Sequence, residues 1–98
     1  MRRYRIVYDD KALSDLADLE VWIGSQASPR TASGYTARIR KCCSRLRHFP
    51  ERGAIHDDIR PGIRVMGFEG RVDIAFEIHD DRVIIIRILY AGRQFDSR

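Results

Sequence analysis

Val72-Asp73-Ile74-Ala75-Phe76-Glu77-Ile78, then His79-Asp80-Asp81-Arg82, then Val83-Ile84-Ile85-Ile86-Arg87-Ile88-Leu89-Tyr90: this stretch decides the fold. In its first part apolar side chains fall on every second position, with Asp73, Ala75 and Glu77 between them, which is the period of a strand with one wet face. Its last part is apolar on both faces apart from Arg87. That pattern predicts a strand inside a sheet, covered on each side, paired back on its predecessor through the polar turn. An arginine buried without a partner is costly, so Arg87 is expected to meet a carboxylate, with Asp73 or Glu77 on the neighbouring strand the nearest candidates. The other reading has Arg87 facing a target.

Working outward, residues 63–68 read as a further strand, joined to the first by a turn at Glu69-Gly70. Residues 51–62 contain Gly53, Pro61 and Gly62 with no clear period and read as a loop. Before them, Ala32, Tyr35, Ile39, Cys42, Leu46 and Phe49 recur at spacings of three and four. This predicts a helix of about five turns, opened by Ser28 as cap and Pro29 at the first helical position and stopped by Pro50. Ala12, Leu16, Leu19 and Ile23 line one face of an earlier helix, capped by Asp9 or Asp10 and running to about Ser25. The interval between the two helices is too short for anything but a tight turn, so they form an αα-hairpin. Residues 3–8 read as a first short strand.

The order strand, two helices, then three strands predicts one α+β domain over residues 1–98. Its helices pack on one face of a mostly antiparallel sheet, with the last three strands as a meander. The 98 residues suit a single core, and 44% hydrophobic against 33% charged residues is a globular composition. No uncharged apolar stretch approaches the roughly 20 residues of a membrane span, and secretion is not expected, since Met1-Arg2-Arg3 runs straight into the alternation of Tyr4, Ile6 and Tyr8. Cys42 and Cys43 are adjacent on a helix, where side chains diverge by about 100°, so they are expected to be reduced thiols of a cytosolic protein. His48, His56 and His79 stand in no metal-ligand register and beside no nucleophile, so neither a metal, a cofactor nor histidine catalysis is assigned.

The 18 basic residues exceed the 14 acidic ones, and the excess is uneven. Residues 28–48 carry Arg30, Arg38, Arg40, Lys41, Arg45 and Arg47 with no acid, whereas residues 9–20 carry Asp9, Asp10, Asp15, Asp18 and Glu20 with one lysine. Two readings stand: a solvated face on each helix, or a basic surface for nucleic acid or an acidic partner. Leu13, Val21 and Trp22 lie off the core stripe of the first helix. They widen its apolar surface beyond one sheet contact, and two readings stand: Trp22 fills the edge of the core, or the broad apolar surface is one that a permanent partner covers.

The ordered set of Phe49-Pro50 with Gly53, Pro61-Gly62-Ile63-Arg64, the hairpin around Asp80-Asp81, and Ile86-Arg87-Ile88-Leu89-Tyr90 leading to Gly92-Arg93 resembles the RelE/ParE superfamily of bacterial type II toxins, and within it the ParE branch. The resemblance covers nearly the whole chain. The RelE-like branch cuts messenger RNA on the ribosome, which needs cationic and acid/base groups about the scissile phosphate. Carried over by position, Arg64 and Arg93 keep two cationic sites. Met66 stands where that branch has a second lysine, Asp73 where it has an arginine, and no tyrosine follows Tyr90.

The resemblance therefore implies a ParE-like toxin that acts without covalent chemistry on DNA gyrase and is neutralised by a ParD-like antitoxin. The antitoxin's own N-terminal domain would bind operator DNA, so the toxin would meet the operator only through it. Leu13, Leu16, Trp22 and Arg64 are expected to bind the antitoxin, by a helix in a groove and an added strand. Arg64, Arg87, Arg93 and Phe95 are expected to contact the target, arginine suiting carboxylates in either role. An mRNA interferase and a basic nucleic-acid-binding module are the alternatives. Truncation from Arg93 onward is expected to abolish toxicity while leaving antitoxin binding intact.

Overall fold

Asp9 turns the first strand into a helix: its carboxylate accepts a hydrogen bond from the Lys11 N–H at 3.1 Å, satisfying a donor that the first helical turn leaves free. The structure, a computed structural model, describes residues 3–90. Strand β1 (Arg5–Tyr8) precedes helix α1 (Asp10–Gln26), and helix α2 (Pro29–Ser44) follows after a turn of two residues. Ser28 caps α2 by accepting from the Thr31 N–H at 3.0 Å, and Pro29 occupies its first turn. A single 3₁₀ turn (Arg45–Arg47) then tightens the helix end before Pro50, so α2 itself is shorter than the periodicity predicted.

Four strands complete the sheet: β2 (Ala54–Ile55), β3 (Arg64–Phe68), β4 (Val72–His79) and β5 (Arg82–Tyr90), in the spatial order β1-β5-β4-β3-β2. The last three form the expected antiparallel meander, and β1 lies parallel to β5. Strand β2, inside the expected loop, pairs Ala54 with Val65 and Ile55 with Arg64. Gly53 admits it: its φ is +72°, and a Cβ there would stand 2.3 Å from the Val65 carbonyl oxygen. Glu69 and Gly70 turn β3 into β4 with both φ angles positive, and Asp80 at φ 50° turns β4 into β5.

The core lies between the helices and one face of the sheet. Ala12, Leu16, Leu19 and Ile23 of α1 and Ala32, Ile39, Cys43 and Leu46 of the second helical segment meet Val72, Ile74, Phe76, Val83, Ile85 and Ile88. Two details of the expected stripe are corrected. Cys43 rather than Cys42 is fully buried, because a spacing of 3.6 residues per turn drifts off a strict three-four alternation. Phe49, expected to close the stripe, is 60% exposed, since the 3₁₀ turn redirects the chain before it.

Strand β5 contains a bulge. Phe76 pairs with Ile85 but Ala75 pairs with Arg87, which leaves Ile86 without a counterpart. Without that extra residue Arg87, two positions beyond the buried Ile85, would point into the helix-covered face. With it, Ile88 takes the core position opposite Ile74 and Arg87 leaves the core.

Candidate functional site

Arg87 finds its carboxylate on α1. Its Nε and a terminal nitrogen donate to the two oxygens of Asp15 at 2.8 and 3.0 Å, and Asp15 also accepts the Ile88 N–H at 2.9 Å. The expected partners, Asp73 and Glu77, are corrected by this geometry. Strand β1 ends opposite Ile85, so beyond that point one side of β5 has no strand neighbour; α1 runs there, and Asp15 supplies the missing acceptor. The pair is three-quarters or more withdrawn from water, with side-chain exposures of 22% for Arg87 and 7% for Asp15. This geometry makes Arg87 a clamp between helix and sheet.

Off the core stripe of α1, Leu13, Val21 and Trp22 are exposed by 42%, 74% and 49%, Leu13 and Trp22 on opposite flanks of the helix and Val21 on its outer side. Leu16, expected in the same groove, is 2% exposed and belongs to the core; this is a correction, and its cause is the helical period that carries it beside Ala12 and Leu19. The Trp22 ring leans on Tyr90, with centroids 5.3 Å apart. Tyr90 meets Tyr35 edge-on, and Tyr35 meets Phe68, so four rings run from α1 across the end of β5 to α2 and β3. The sequence carried no periodic signal for that row, because its members come from four elements. Burial, with Glu69 and Tyr90 nearby, pushes the Tyr35 phenol above its ordinary range.

The strand register sorts the positions carried over from the nuclease branch. Arg64 pairs with Phe76 and Met66 with Ile74, so both stand on the helix-covered side, where Met66 packs against the core. Asp73 pairs with Gly67 and stands on the opposite side, exposed. Arg64 donates to the Arg52 carbonyl at 3.4 Å. On the helix-free side Glu77 gathers Arg60 and His79: Arg60 Nε donates to it at 2.6 Å, and the His79 Nε2 lies 2.7 Å away. Burial opposes the Glu77 charge, yet hydrogen bonds from His79 and Arg60 hold its carboxyl below the ordinary range. His79 is thereby the partner of a carboxylate, a pairing two residues apart on one strand face that the alternation itself encodes.

Cys42 and Cys43 are free thiols. Burial pushes the Cys43 thiol up to about 11, although the Tyr8 hydroxyl beside it pulls the other way. Among the described residues no group of histidines, cysteines and carboxylates is placed to hold a metal ion, and no helix is long and apolar enough to cross a membrane. Arg93 and Phe95, expected at the target surface, lie outside the described residues.

A helical hairpin clamped by Asp15 to a five-stranded sheet, with β1 parallel to β5, is the arrangement to compare with known proteins. Residues 3–95 match the family described as the ParE toxin of type II toxin-antitoxin system, parDE. The chain belongs to the ParE toxin family. A chain of the chromosomal ParDE toxin-antitoxin system from P. aeruginosa superposes with a TM-score of 0.80 at 20% identity, over 92% of this chain and 98% of that one. A chain of the toxin-antitoxin complex RelBE2 from Mycobacterium tuberculosis superposes with a TM-score of 0.62, also at 20% identity, over 95% of this chain and 97% of that one. Both likenesses show the fold. Comparison with the curated proteins gives no match. As a ParE family member, the chain is the toxin component of a type II toxin-antitoxin system.

Proposed function

We propose that this toxin acts by binding and stalling DNA gyrase, without covalent chemistry of its own, and that a ParD-like antitoxin neutralises it. The observation that carries this reading is the register of β3 against β4. An RNA-cutting site needs its cations and proton-transfer groups gathered about one phosphate. Here Arg64 and Met66 stand on one side of the sheet and Asp73 on the other. A lysine position occupied by a core-packed methionine supplies no charge, and an exposed aspartate repels phosphate. The toxin's harm then comes from holding a partner, and its place of action is the cytoplasm, where gyrase works.

The antitoxin surface proposed is the outer side of α1. Val21 and Trp22 are exposed apolar neighbours toward one flank of α1, with Tyr90 supporting Trp22 from the sheet, and Leu13, nine residues before Trp22, is exposed on the opposite flank. An antitoxin helix seated on Trp22 and Val21, or a segment that wraps α1 to reach Leu13 as well, fits these side chains. Arg64, beside the short edge strand β2, is proposed to receive an extended antitoxin segment. The relatives of known structure named above are chains of toxin-antitoxin complexes, which supports a dedicated partner.

Expression of the toxin without its antitoxin tests this reading. Filamentous cells and DNA-damage signalling are the expected result; rapid translation arrest with cleaved transcripts would transfer the protein to the nuclease branch.

A further inference from the structure

The six cations between residues 28 and 48 are not equivalent in the folded protein. Arg38 is neutralised, its Nε and a terminal nitrogen donating to Glu69 at 3.0 and 3.1 Å. Arg30, Arg40, Lys41, Arg45 and Arg47 are all exposed, and none has a carboxylate within ion-pair distance among the described residues. On the facing helix, Glu20 accepts instead from the Thr36 hydroxyl, on the buried side of α2.

Helical geometry arranges these five. Ala32, Thr36, Ile39 and Cys43 point inward, which puts Arg30, Lys41 and Arg45 on the far side of α2 and Arg40 and Arg47 along the flank nearest β1, where Arg40 lies over the Tyr8 ring. The Tyr4 N–H donates to the Arg47 carbonyl at 2.9 Å, which brings the start of β1, with the exposed Arg3, alongside, while Arg5 pairs with Asp81 at 3.8 Å. Between the cations stand Ser33, Gly34, Ala37 and Ser44, all small and exposed. A Cβ added at Gly34 would meet nothing within 4 Å. The result is a low ridge of one sign, spanning about 22 Å from Arg30 to Arg45 at the helical rise.

This ridge lacks what a protein partner requires, an apolar anchor at its centre. Among the described residues the large exposed apolar side chains are Leu13, Val21 and Trp22 on α1, Val7 on β1, Ile55 on β2 and Phe49 beyond the 3₁₀ turn, and none stands between Arg30 and Arg45. Tyr35, the ring within α2, is turned onto Phe68 and Tyr90, and the exposed Phe49 stands past the 3₁₀ turn beneath Arg52, so the stretch from Arg30 to Arg45 itself presents no ring for stacking on single-stranded bases. A cluster of exposed cations on a low surface matches a dense polyanion, and duplex DNA carries about one charge per 1.7 Å of its axis.

We propose that the outer face and β1-side flank of α2 together with the 3₁₀ turn that ends it, with Arg30, Arg40, Lys41, Arg45 and Arg47, dock directly on the phosphate backbone of double-stranded DNA. The contact is independent of sequence and of the antitoxin, and it does not depend on the gyrase reading. Fluorescence anisotropy of a labelled duplex of about 30 base pairs, titrated with the purified full chain at several salt concentrations, tests it. The expected log–log slope of affinity against salt is about −4, as for four to five phosphates neutralised. The pair Lys41→Ala/Arg45→Ala should flatten that slope by about two, and Lys41→Glu/Arg45→Glu should weaken binding at least about tenfold, with melting temperature and circular dichroism retained. Trp22→Ala should leave DNA affinity unchanged. Salt-independent binding, equal binding by the charge-reversed pair, or tighter binding to polyglutamate or single-stranded RNA of equal charge would overturn the proposal.

Discussion

Asp15 on α1 holds Arg87 on β5 through two charged hydrogen bonds and caps the Ile88 N–H with the same carboxylate. The helix thus replaces, with one side chain, the strand that β1 is too short to provide. Because the pair is largely withdrawn from water, removing one partner leaves the other charge without compensation. Asp15→Asn and Asp15→Ala are each expected to lower stability by about 3 kcal/mol in urea unfolding. The double variant Asp15→Ala/Arg87→Ala should cost less than the sum of the singles by at least about 1 kcal/mol. Additive losses would show that the two residues act separately.

Trp22 and Leu13 separate binding from folding. Each is about half exposed, so alanine at either position is expected to lower stability by no more than about 1 kcal/mol. Trp22→Ala should weaken antitoxin affinity by about 2 kcal/mol, as loss of an interface anchor does, with toxicity retained. Isothermal titration with the antitoxin's C-terminal segment checks this. An unchanged affinity would remove the outer side of α1 from the interface.

Acid should weaken the protein partly through Glu77. Its carboxyl lies below the ordinary value of 4.5 in the folded chain, despite burial, because His79 and Arg60 hydrogen-bond its charged form. A lowered folded pKa contributes stability above the ordinary value, and that contribution is lost as pH falls below it and through the folded one. The melting temperature of Glu77→Gln should therefore fall below that of the parent protein at pH 7, and the gap should narrow as pH falls below 4.5. A gap that persists or widens in acid would contradict the assignment.

The two thiols should react unequally. Cys43 is fully buried and its thiol is pushed up to about 11, whereas Cys42 is partly exposed. Since the thiolate is the reactive form, a disulfide reagent at about pH 8 should modify Cys42 and leave Cys43 intact until the chain unfolds. Mass spectrometry after proteolysis reads the sites directly, and modification of Cys43 in the folded protein would contradict its placement.

The sequence was most legible where one local period controls one element. The alternation through residues 72–78 identifies β4, Ser28-Pro29 marks the start of α2, and the short interval before it makes the hairpin. Strand β2 was hidden because two residues show no period; Gly53, admitted by its positive φ against the Val65 carbonyl, was its signal. The partner of Arg87 was missed for a topological reason. Asp73 and Glu77 are near in the hairpin, but the bulge at Ile86 and the early end of β1 turn Arg87 to Asp15, 72 residues away. The broken alternation of residues 84–89 was the local trace of that bulge. Leu16 illustrates the limit for the interaction surface: periodicity identifies an apolar helix face, and only packing separates the part the sheet has already covered from the part left for a partner.

The most direct test of the account is a supercoiling assay with purified DNA gyrase and the purified toxin, run beside a ribosome-programmed transcript. The account predicts lost supercoiling with accumulation of cleaved plasmid DNA, reversed by the antitoxin, and an intact transcript. Undisturbed gyrase together with a cut transcript would contradict it.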